Sequence, residues 1–368
     1  MDDSSYMALA VELAERGVGW VSPNPLVGAV LVKDGCVIGR GWHERCGGLH
    51  AERAALADCR EDPAGAVLYV TLEPCCHTGR QPPCTEAILA AGIRRVVVGS
   101  LDPNPLVAGK GVEILQAHGV EVETGVLRER CDALNPMFFH YIRTRRPYVV
   151  MKYAMTLDGK IATYTGASQW ITGEAARRRV HQDRHRYRGI LAGVGTVLAD
   201  DPLLTCRMEN GRNPVRVICD THLRTPLTSR IVRTAGEAET ILATCETGAE
   251  RIAPYTAAGC RVWQLSERDG HVDLPALMDR LGAAEIDGLL LEGGGSLNWA
   301  MLEAGLVRRV QAYIAPKLFG GGDAKSPVEG QGVALPAQAA HLRNPTVTRL
   351  GEDFLVEGEV DADVHRNC

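Results

Sequence analysis

The chain is poor in aromatic residues and has neither a basic excess nor a long apolar run. Phe, Trp and Tyr make up 5% of its 368 residues, and its formal net charge is −5. A protein whose main partner is nucleic acid usually carries a basic patch, often with aromatic side chains that stack on bases. No segment is apolar over the length that a bilayer requires, and the acidic start lacks the character of a signal peptide. We therefore expect a cytoplasmic protein with no nucleic-acid and no membrane partner.

Cysteine is too sparse for a disulfide scaffold. The 12 Cys residues are spread over a chain that exceeds the length of one typical domain. We expect most of these thiols to be reduced. A basic stretch at residues 143–147 ends in proline and is the preferred domain boundary, which divides the chain into residues 1–145 and 146–368.

Apolar runs alternate with helix-forming segments in both parts of the chain. In the first part we predict helices at 6–16, 50–56, 84–91 and 111–117, and strands at 66–72, 94–99 and 120–126. Asp34-Gly35 between two apolar runs predicts a hairpin. In the second part we predict strands at 148–153, 189–193, 215–219, 240–244, 261–265, 288–291, 308–314 and 354–360. This alternation indicates an α/β fold class, with helices packed on a sheet.

The pattern His50-Ala51-Glu52, followed by Cys75 and Cys84, has the residue types of a catalytic zinc site. One His and two Cys hold zinc and leave its fourth position open for water. A Glu two residues after the His can transfer protons without ligating the metal. On the predicted elements His50 begins one helix and the two Cys lie around the start of another, and helix N-termini favour thiolates. The pattern therefore predicts hydrolytic deamination.

The spacing of the two cysteines leaves alternatives open. Eight residues separate Cys75 from Cys84, whereas a separation of two is commoner in zinc deaminases. A closed structural zinc site with Cys76 or His77 as fourth ligand is one alternative, although structural sites usually pair their ligands at short spacing. Unrelated core cysteines and a surface histidine are another. Glu52 favours catalysis, because a structural site has no need of a carboxylate there.

The second part contains a glycine-rich loop at 292–296, directly after the predicted strand at 288–291. Such a loop lets backbone N–H groups approach a phosphate closely. The loop is not the GxGxxG fingerprint of dinucleotide-binding folds, and a tight turn without a ligand is the alternative. It indicates a nucleotide or a phosphate without saying which.

Several motifs together resemble one family, the bifunctional riboflavin-biosynthesis deaminase–reductases. In the first part they are the zinc-site residues and the segments at 24–28, 71–75, 79–84 and 102–105. The eight-residue separation of the cysteines is itself typical of that family. In the second part the matching segments are 152–154, 157–160, 168–172, 193–197, 200–205 and 292–296. The resemblance covers nearly the whole chain in the right order.

For the first part, the resemblance implies a cytidine-deaminase-like three-layer domain with zinc on His50, Cys75 and Cys84. Its reaction would be hydrolytic deamination of 2,5-diamino-6-ribosylamino-4(3H)-pyrimidinone 5′-phosphate, with Glu52 as the catalytic proton carrier. The substrate would contact some or all of Asn24, His43, His77, Arg80, Asp102 and Asn104. The alternative for each of these six is an ordinary turn or loop residue.

For the second part, the resemblance implies a dihydrofolate-reductase-like domain. It would use NADPH to reduce the ribosyl group of 5-amino-6-(5-phosphoribosylamino)uracil to ribityl. The NADPH site would be lined by Ala154, Trp170, Thr196, Asp200, Gly294, Gly295, Ser296, Leu297, Asn298, Trp299 and Ala300. The substrate would meet Ser168, Arg184, Leu204, Arg207 and Glu292. The two Arg suit a phosphate, because guanidinium groups bind phosphate oxygens bidentately, but either can also be a solvated charge.

The residues leave some choices open. Lys152, Asp200 and Glu292 are all candidates for the proton transfer of the reduction, and nothing in the pattern separates NADPH from NADH. The alternatives to two linked reactions are a nucleic-acid base deaminase with an appended domain, a deaminase whose reductase domain is inactive, and a zinc-stabilised scaffold. The resemblance also implies a homo-oligomer, a dimer or a tetramer, that acts on a small phosphoribosyl-aminopyrimidine.

Overall fold

The computed structural model describes residues 1–79 and 81–361 of the chain. They form two compact units, one of residues Met1–Arg145 and one that begins at Arg146. The division falls inside the basic, proline-terminated stretch at 143–147. Each unit contains a sheet with helices packed on it.

The first unit alternates strands and helices along the chain. Its strands are β1 (Gly28–Lys33), β2 (Cys36–Trp42), β3 (Val67–Leu72), β4 (Arg95–Ser100) and β5 (Glu121–Thr124). Its helices are α1 (Asp3–Glu15), α2 (Ala51–Asp58), α3 (Cys84–Ala90), α4 (Lys110–Ala117), α5 (Arg128–Leu134) and α6 (Pro136–Thr144). The predicted helices and strands of this part are all present, with ends that shift by a few residues.

The expected hairpin joins β1 to β2. Asp34 and Gly35 both have positive φ, 49° and 77°, and Lys33 pairs with Cys36 across the turn. A two-residue loop with positive φ at both positions is a type I′ turn, whose twist matches that of the strands. Asp-Gly favours this turn because both residues tolerate the left-handed region.

Alternate residues of the central strands face opposite sides of the first sheet, whose strand order is β2-β1-β3-β4-β5. Tyr69 and Val97 pack with α1 and α5, whereas Leu68 and Val98 pack with α2, α3 and α4. Helices therefore cover both faces. This arrangement confirms the expected three-layer, cytidine-deaminase-like domain.

The second unit is built on a larger sheet. Its strands are β6 (Tyr148–Thr156), β7 (Gly189–Gly193), β8 (Val215–Cys219), β9 (Thr240–Thr244), β10 (Arg261–Gln264), β11 (Glu267–Arg268), β12 (His271–Val272), β13 (Gly288–Leu291), β14 (Val307–Ala315), β15 (Leu342–Leu350) and β16 (Asp353–Val360). Its helices are α7 (Glu174–Arg186), α8 (Val194–Asp200), α9 (Arg230–Arg233), α10 (Ala249–Ala257), α11 (Leu274–Ala283) and α12 (Gly295–Glu303), with a 3₁₀ turn at Pro336–Gln338.

The order of the second sheet is β10-β9-β8-β7-β13-β6-β14-β16-β15. The strands from β10 to β14 in that order run parallel, and β16 and β15 are antiparallel to their neighbours. The ends of β7 and β13 therefore lie side by side, followed by α8 and α12. Carboxyl ends of neighbouring parallel strands are where open α/β sheets bind ligands.

Two elements of the second unit have no strong sequence signal. Strand β15 is exposed along most of its length and contains Pro345, so it lacks the apolar alternation of a strand. Helix α7 is rich in Arg, and its buried residues are Ala176 and Asp183. The predicted strands of this part coincide with β6, β7, β8, β9, β10, β13, β14 and β16.

Within residues 1–79 and 81–361, no helix combines the length and the apolar character needed to cross a membrane.

Candidate active sites

Three ligand-type side chains converge at one edge of the first sheet. His50 caps the start of α2, Cys75 follows β3, and Cys84 is the first residue of α3. One side-chain ligand atom from each lies within 4.8 Å of the others. The imidazole Nδ1 of His50 is 3.5 Å from the sulfur of Cys75 and 3.4 Å from that of Cys84. The structure thus brings together all three predicted metal ligands.

The spacing of these atoms fits a zinc ion. Zinc–sulfur bonds of about 2.3 Å and a zinc–nitrogen bond of about 2.1 Å, at the tetrahedral angle, place nitrogen about 3.6 Å from each sulfur. Both observed nitrogen–sulfur distances, 3.5 and 3.4 Å, agree with that value. The two ends of the loop between the cysteines are joined directly, because the Cys84 N–H donates to the sulfur of Cys75 at 3.4 Å. The donor set and its geometry therefore fit zinc.

Glu52 lies beside this cluster and is only 4% exposed. It is in the first turn of α2, and its carboxyl group contacts the Cys84 side chain. Burial, and then the nearby Cys75, raise the pKa of Glu52 to about 7. A hydrogen bond from Cys84 lowers the pKa of Cys75 to about 4. The site offers an anionic sulfur as ligand and a carboxyl group able to exchange protons near neutral pH.

Cys76 and His77 do not join the cluster. The Cys76 thiol points to the carbonyl oxygen of Leu106, at 3.6 Å. Among the residues that the structure describes, the metal-type cluster at this edge contains His50, Cys75 and Cys84 alone. A closed site with a fourth protein ligand therefore has no support in the geometry.

Asn24 and His43 lie next to the cluster as a hydrogen-bonded pair. The Asn24 Nδ2 is 3.1 Å from the His43 Nε2, and the His43 Nδ1 is 2.8 Å from the Leu49 carbonyl oxygen. This pattern gives His43 the tautomer with its proton on Nδ1, because a carbonyl only accepts. Burial lowers the pKa of His43, and its ring packs edge-on against His50 at 5.5 Å. A neutral His43 oriented by Asn24 therefore borders the cluster.

Asp102 and Asn104 lie in the loop that follows β4. Burial raises the pKa of Asp102 to about 6, and its Oδ1 accepts from the Asn104 N–H at 2.8 Å. The Asn104 Oδ1 in turn accepts from the Leu106 N–H at 3.1 Å. Both side chains therefore shape the loop, and the second oxygen of the Asp102 carboxyl is not used by that turn. Arg80 lies outside the described residues.

Glu73 is a residue of this site whose role the sequence pattern did not predict. Its buried carboxylate accepts four backbone N–H groups of the following loop and helix. Oε2 accepts from Asp102 at 3.2 Å and from Gly109 at 2.9 Å, and Oε1 accepts from Gly111 at 3.0 Å and from Val112 at 3.3 Å. The partners of Glu73 are 29 to 39 residues away in the chain, so no local spacing could reveal them. Its place in the motif at 71–75 was the one sequence feature that pointed to this residue.

A buried ion-pair network occupies the second unit. Arg184, on α7, binds Glu292 by two hydrogen bonds of 2.8 and 2.9 Å. Lys152, on β6, is 3.5 Å from the Glu292 Oε2. Burial alone would raise the pKa of Glu292, but Arg184 and Lys152 lower it to about 2. Glu292 is therefore a fixed anion that orients two cations.

The loop after α8 approaches this network through Arg184, which donates to the Thr205 carbonyl oxygen at 3.1 Å. Leu204 is buried with φ of 51°. Arg207 is exposed, and its backbone N–H donates to the His181 Nδ1 at 3.2 Å. His181 had no role in the sequence analysis, although it lies one turn before Arg184 on α7. The loop that carries Leu204 and Arg207 is thus attached to α7 by these two hydrogen bonds and by a third, from the Cys206 thiol to the His181 carbonyl oxygen at 3.4 Å.

The glycine-rich loop lies where the sheet order predicts a phosphate site. Helix α12 begins after Gly294, and within residues 1–79 and 81–361 no side-chain hydrogen bond caps its start, although the Glu329 side chain packs against Gly295. A Cβ added at Gly294 would lie 3.7 Å from the Thr196 hydroxyl on α8. Asn298 is fully buried, donates to the Pro327 carbonyl oxygen at 2.8 Å, and has an Oδ1 without a hydrogen-bond partner in the described part of the chain. Backbone N–H groups at a helix start and a nearby hydroxyl are suitable partners for a nucleotide cofactor.

The other residues of the predicted cofactor set lie on two further segments. Ser168 donates to the Asp200 Oδ1 at 2.9 Å at the end of α8. The Trp170 ring is 56% exposed and stacks with Arg177 at 4.8 Å. Ala154 is half-buried on β6, two residues after Lys152. On α12 the predicted set is completed by Gly295, Ser296, Leu297, Trp299 and Ala300.

Two family descriptions match the chain. Residues 1–100 match the cytidine and deoxycytidylate deaminase zinc-binding region, and residues 147–356 match the RibD C-terminal domain. The two matches divide the sequence as the two units divide the structure.

Relatives match over nearly the full length. The riboflavin biosynthesis protein RibD of Actinobacillus pleuropneumoniae is 54% identical over 357 residues, 97% of this chain and 95% of the relative. A solved structure of Acinetobacter baumannii RibD has a TM-score of 0.88 at 37% identity and covers 98% of this chain and 99% of its own. The Thermotoga maritima diaminohydroxyphosphoribosylaminopyrimidine deaminase/5-amino-6-(5-phosphoribosylamino)uracil reductase has a TM-score of 0.86 at 40% identity, with the same coverage. The chain therefore belongs to the RibD family of bifunctional riboflavin-biosynthesis enzymes.

Proposed function

We propose that the first unit deaminates 2,5-diamino-6-ribosylamino-4(3H)-pyrimidinone 5′-phosphate and that the second unit reduces the deaminated product with NADPH. The observation that carries the first assignment is the convergence of His50, Cys75 and Cys84 beside the buried Glu52. The observation that carries the second is the Arg184–Glu292–Lys152 network, whose Glu292 lies two residues before Gly294 at the start of α12.

In the deamination, water replaces the exocyclic amine of the pyrimidine and ammonia leaves. His50, Cys75 and Cys84 would hold zinc, which would supply a Lewis acid that lowers the pKa of water and makes hydroxide available near neutral pH. Glu52 accepts one proton from the attacking water and delivers it to the ring nitrogen, then takes the second proton from the added hydroxyl and delivers it to the amine, which leaves as ammonia. Its raised pKa of about 7 supports this role, because the carboxyl group must both take and give a proton.

Three further side chains of the first unit are suited to bind the pyrimidine. Asn24 and neutral His43 present polar groups next to the cluster, with His43 held in one tautomer by the Leu49 carbonyl oxygen. Asp102 has an oxygen that the loop does not use and can accept from a ring N–H or an amine. We assign these contacts to the ring rather than to the ribose, since all three border the metal cluster or the loop beside it.

In the reduction, carbon 1 of the ribosylamino group receives a hydride, and the ring oxygen receives a proton as the sugar opens. NADPH supplies the hydride when bound. Thr196 and the start of α12 at Gly294 would hold its phosphates and ribose, with Asn298 fixing α12 through its hydrogen bond to the Pro327 carbonyl oxygen. Trp170 and Ala154 would face its ring systems. The glycine-rich starts of α8 and α12, at Gly193 and Gly294, support this placement.

We assign the proton of the reduction to Lys152. Glu292 is held ionised by two cations, with a pKa of about 2, so it has no proton to donate at neutral pH. Lys152 is half-buried and carries its ammonium group 3.5 Å from the Glu292 carboxylate. Asp200 is exposed and already accepts a hydrogen bond from Ser168. Arg184 and Arg207 remain the groups best suited to the substrate phosphate.

Two broader expectations rest on the resemblance to the family. These are a cytoplasmic location and a homo-oligomer, a dimer or a tetramer. Sedimentation velocity of the purified chain at several concentrations measures the second directly, and a monomer at all concentrations would contradict it.

One coupled assay tests both reactions. The full chain is given the diaminopyrimidinone ribosyl phosphate with zinc and NADPH, and ammonia release and NADPH absorbance are followed together. We expect ammonia to appear first and NADPH oxidation to follow with a lag. Absence of ammonia contradicts the first assignment. Absence of NADPH oxidation with the deaminated substrate supplied directly contradicts the second.

A further inference from the structure

We propose that Glu73 is a positioning residue for the deamination: it holds the loop at 102–112 in the conformation that binds the pyrimidine substrate. The inference rests on the proposed deaminase function. It concerns substrate binding and not metal binding or proton transfer, which belong to other side chains.

The Glu73 carboxylate is shared evenly between two parts of this segment. Oε2 accepts from Asp102 N–H, at the start of the loop, and from Gly109 N–H, just before α4. Oε1 accepts from Gly111 and Val112 N–H, in the first turn of α4. One anion therefore closes the loop on itself, because it binds the residue where the loop leaves β4 and the residues where the loop enters α4.

Glu73 is 3% exposed, so its negative charge is stabilised almost entirely by protein groups. The four N–H donors satisfy its two oxygens, and the start of α4 adds a favourable helix dipole. Glu113 lies in the same first turn and is exposed, so α4 already has a surface carboxylate that interacts favourably with its dipole. The burial and the link to Asp102 are what distinguish Glu73.

The backbone of α4 approaches the zinc-ligand loop so closely that a side chain does not fit between them. A Cβ added at Gly111 would overlap the carbonyl oxygen of Pro74, the residue between Glu73 and Cys75. The same Cβ would also lie 3.2 Å from the Glu73 Oε1, so Gly111 packs against Pro74 and the Glu73 carboxylate at once. Glu73 and Gly111 together set the distance between α4 and the loop that carries Cys75.

This attachment reaches the substrate side through Asp102. Its backbone N–H is bound by Glu73, and its side chain accepts from the Asn104 N–H. Release of the Glu73 carboxylate would therefore free Asp102 and Asn104 together. The metal ligands would stay in place, because Glu73 is also held by its own backbone N–H, which donates to the Ser100 carbonyl oxygen at 2.9 Å.

The variant Glu73→Gln separates this role from a general structural one. The amide keeps the size of the side chain but has one acceptor oxygen, and its NH₂ group faces backbone N–H donors with which it cannot bond. We expect the KM for the aminopyrimidine to rise about tenfold or more, since small displacements of binding groups cost this much. We expect kcat to change less than threefold, zinc to remain at one ion per chain, and reduction of the deaminated substrate to be unchanged.

Glu113→Gln is the matched control, since it removes an exposed carboxylate from the same turn of α4 and should leave all four quantities unchanged. Gly111→Ala is the second variant: the added Cβ would overlap the Pro74 carbonyl oxygen and lie 3.2 Å from the Glu73 Oε1, so it displaces α4 from Glu73 while the carboxylate is kept. We expect it to raise the KM as well, with zinc still at one ion per chain.

The outcomes are distinct. A KM within twofold of the wild type in Glu73→Gln, or in Gly111→Ala if the first variant does not fold, overturns the inference. Loss of zinc or a collapse of kcat with an unchanged KM also overturns it, because Glu73 would then serve the metal site. A wild-type chain that releases no ammonia contradicts the proposed function itself, and the inference falls with it.

Discussion

Arg184 and Glu292 form a buried pair joined by two parallel hydrogen bonds, Nε to Oε1 at 2.8 Å and Nη2 to Oε2 at 2.9 Å. Both side chains are 11% exposed. Lys152 approaches the same carboxylate, so one anion faces two cations. This excess of positive charge in a half-closed site is a suitable environment for an anionic substrate.

Glu292→Gln should impair the reduction and leave the deamination intact. The amide keeps the shape but removes the charge that orients Arg184 and Lys152, so both cations lose their fixed positions. We expect kcat/KM for NADPH-dependent reduction to fall about 100-fold, and ammonia release to stay within twofold. Steady-state NADPH absorbance with the deaminated substrate measures the effect.

The control for this variant is Glu174→Gln, which breaks an exposed ion pair with Arg178 on α7. Exposed pairs of this kind contribute little, so reduction should not change. An unaltered rate in Glu292→Gln would remove this residue from the reductase site.

Glu52→Gln should keep zinc and lose deamination. The carboxyl group is not one of the three clustered ligands, so metal content measured by mass spectrometry should remain at one ion per chain. Loss of a general acid–base group should lower ammonia release by about 10²–10⁴-fold. Glu86→Gln, an exposed carboxylate in the first turn of α3, is the control. Deamination at the normal rate in Glu52→Gln would disprove the assigned role.

His181→Asn should make the stability of the chain less sensitive to acid. Burial, followed by Arg184 and Arg207, lowers the pKa of His181 from an ordinary value of 6.5 to about 4. Of the other charged neighbours, Glu292 raises this pKa and Lys152 lowers it further. Between these two pH values the unfolded chain binds more protons than the folded chain, so stability falls as the pH falls from 6.5 towards 4. Protonation also removes the acceptor for the Arg207 N–H.

Urea unfolding at pH 7 and pH 5 gives the decrease in the free energy of unfolding for each protein. Subtracting the decrease in the variant from that in the wild type leaves the contribution of His181, because the other titrating groups contribute equally to both. The wild type should lose more stability than His181→Asn. Equal losses would show that His181 keeps its ordinary pKa in the folded chain.

Arg216→Met should destabilise the second unit. The Arg216 guanidinium is 0% exposed and donates to the carbonyl oxygens of Leu203, Ile231, Thr234 and Ala238 and to the Thr234 and Thr240 hydroxyls. Methionine fills similar space but leaves these buried oxygens without a donor, at a cost of about 2–4 kcal/mol. Urea unfolding gives the change in free energy.

Arg233→Met is the comparison for that measurement, because Arg233 is exposed at the end of α9. Its substitution should alter stability by less than about 0.5 kcal/mol. If both substitutions change the free energy of unfolding by the same amount, the buried hydrogen bonds of Arg216 do not stabilise the second unit.

The zinc cluster and most of the sheet could be predicted from the sequence, whereas the groups that support them could not. His50, Cys75 and Cys84 are recognisable by residue type and local motif. Glu73 and Arg216 are not, because an acidic or basic residue inside an apolar run has many possible partners, and theirs lie up to 39 residues away. Strand β15 was missed for a related reason: its pairing with β16 rests on backbone hydrogen bonds and not on apolar alternation.

The sequence by itself determined the α/β class, the turn at Asp34-Gly35 and the identity of the metal-type ligands, because these depend on residue type and short spacing. Only the tertiary structure decided the charge states on which the chemistry depends. Glu52 and Glu292 are both buried carboxyl groups, yet the pKa of one is raised to about 7 and that of the other is lowered to about 2. Burial raises the pKa of both carboxyl groups; the nearby Cys75 adds to that rise for Glu52, whereas two cations outweigh it for Glu292. Neighbours in space are a property of the fold.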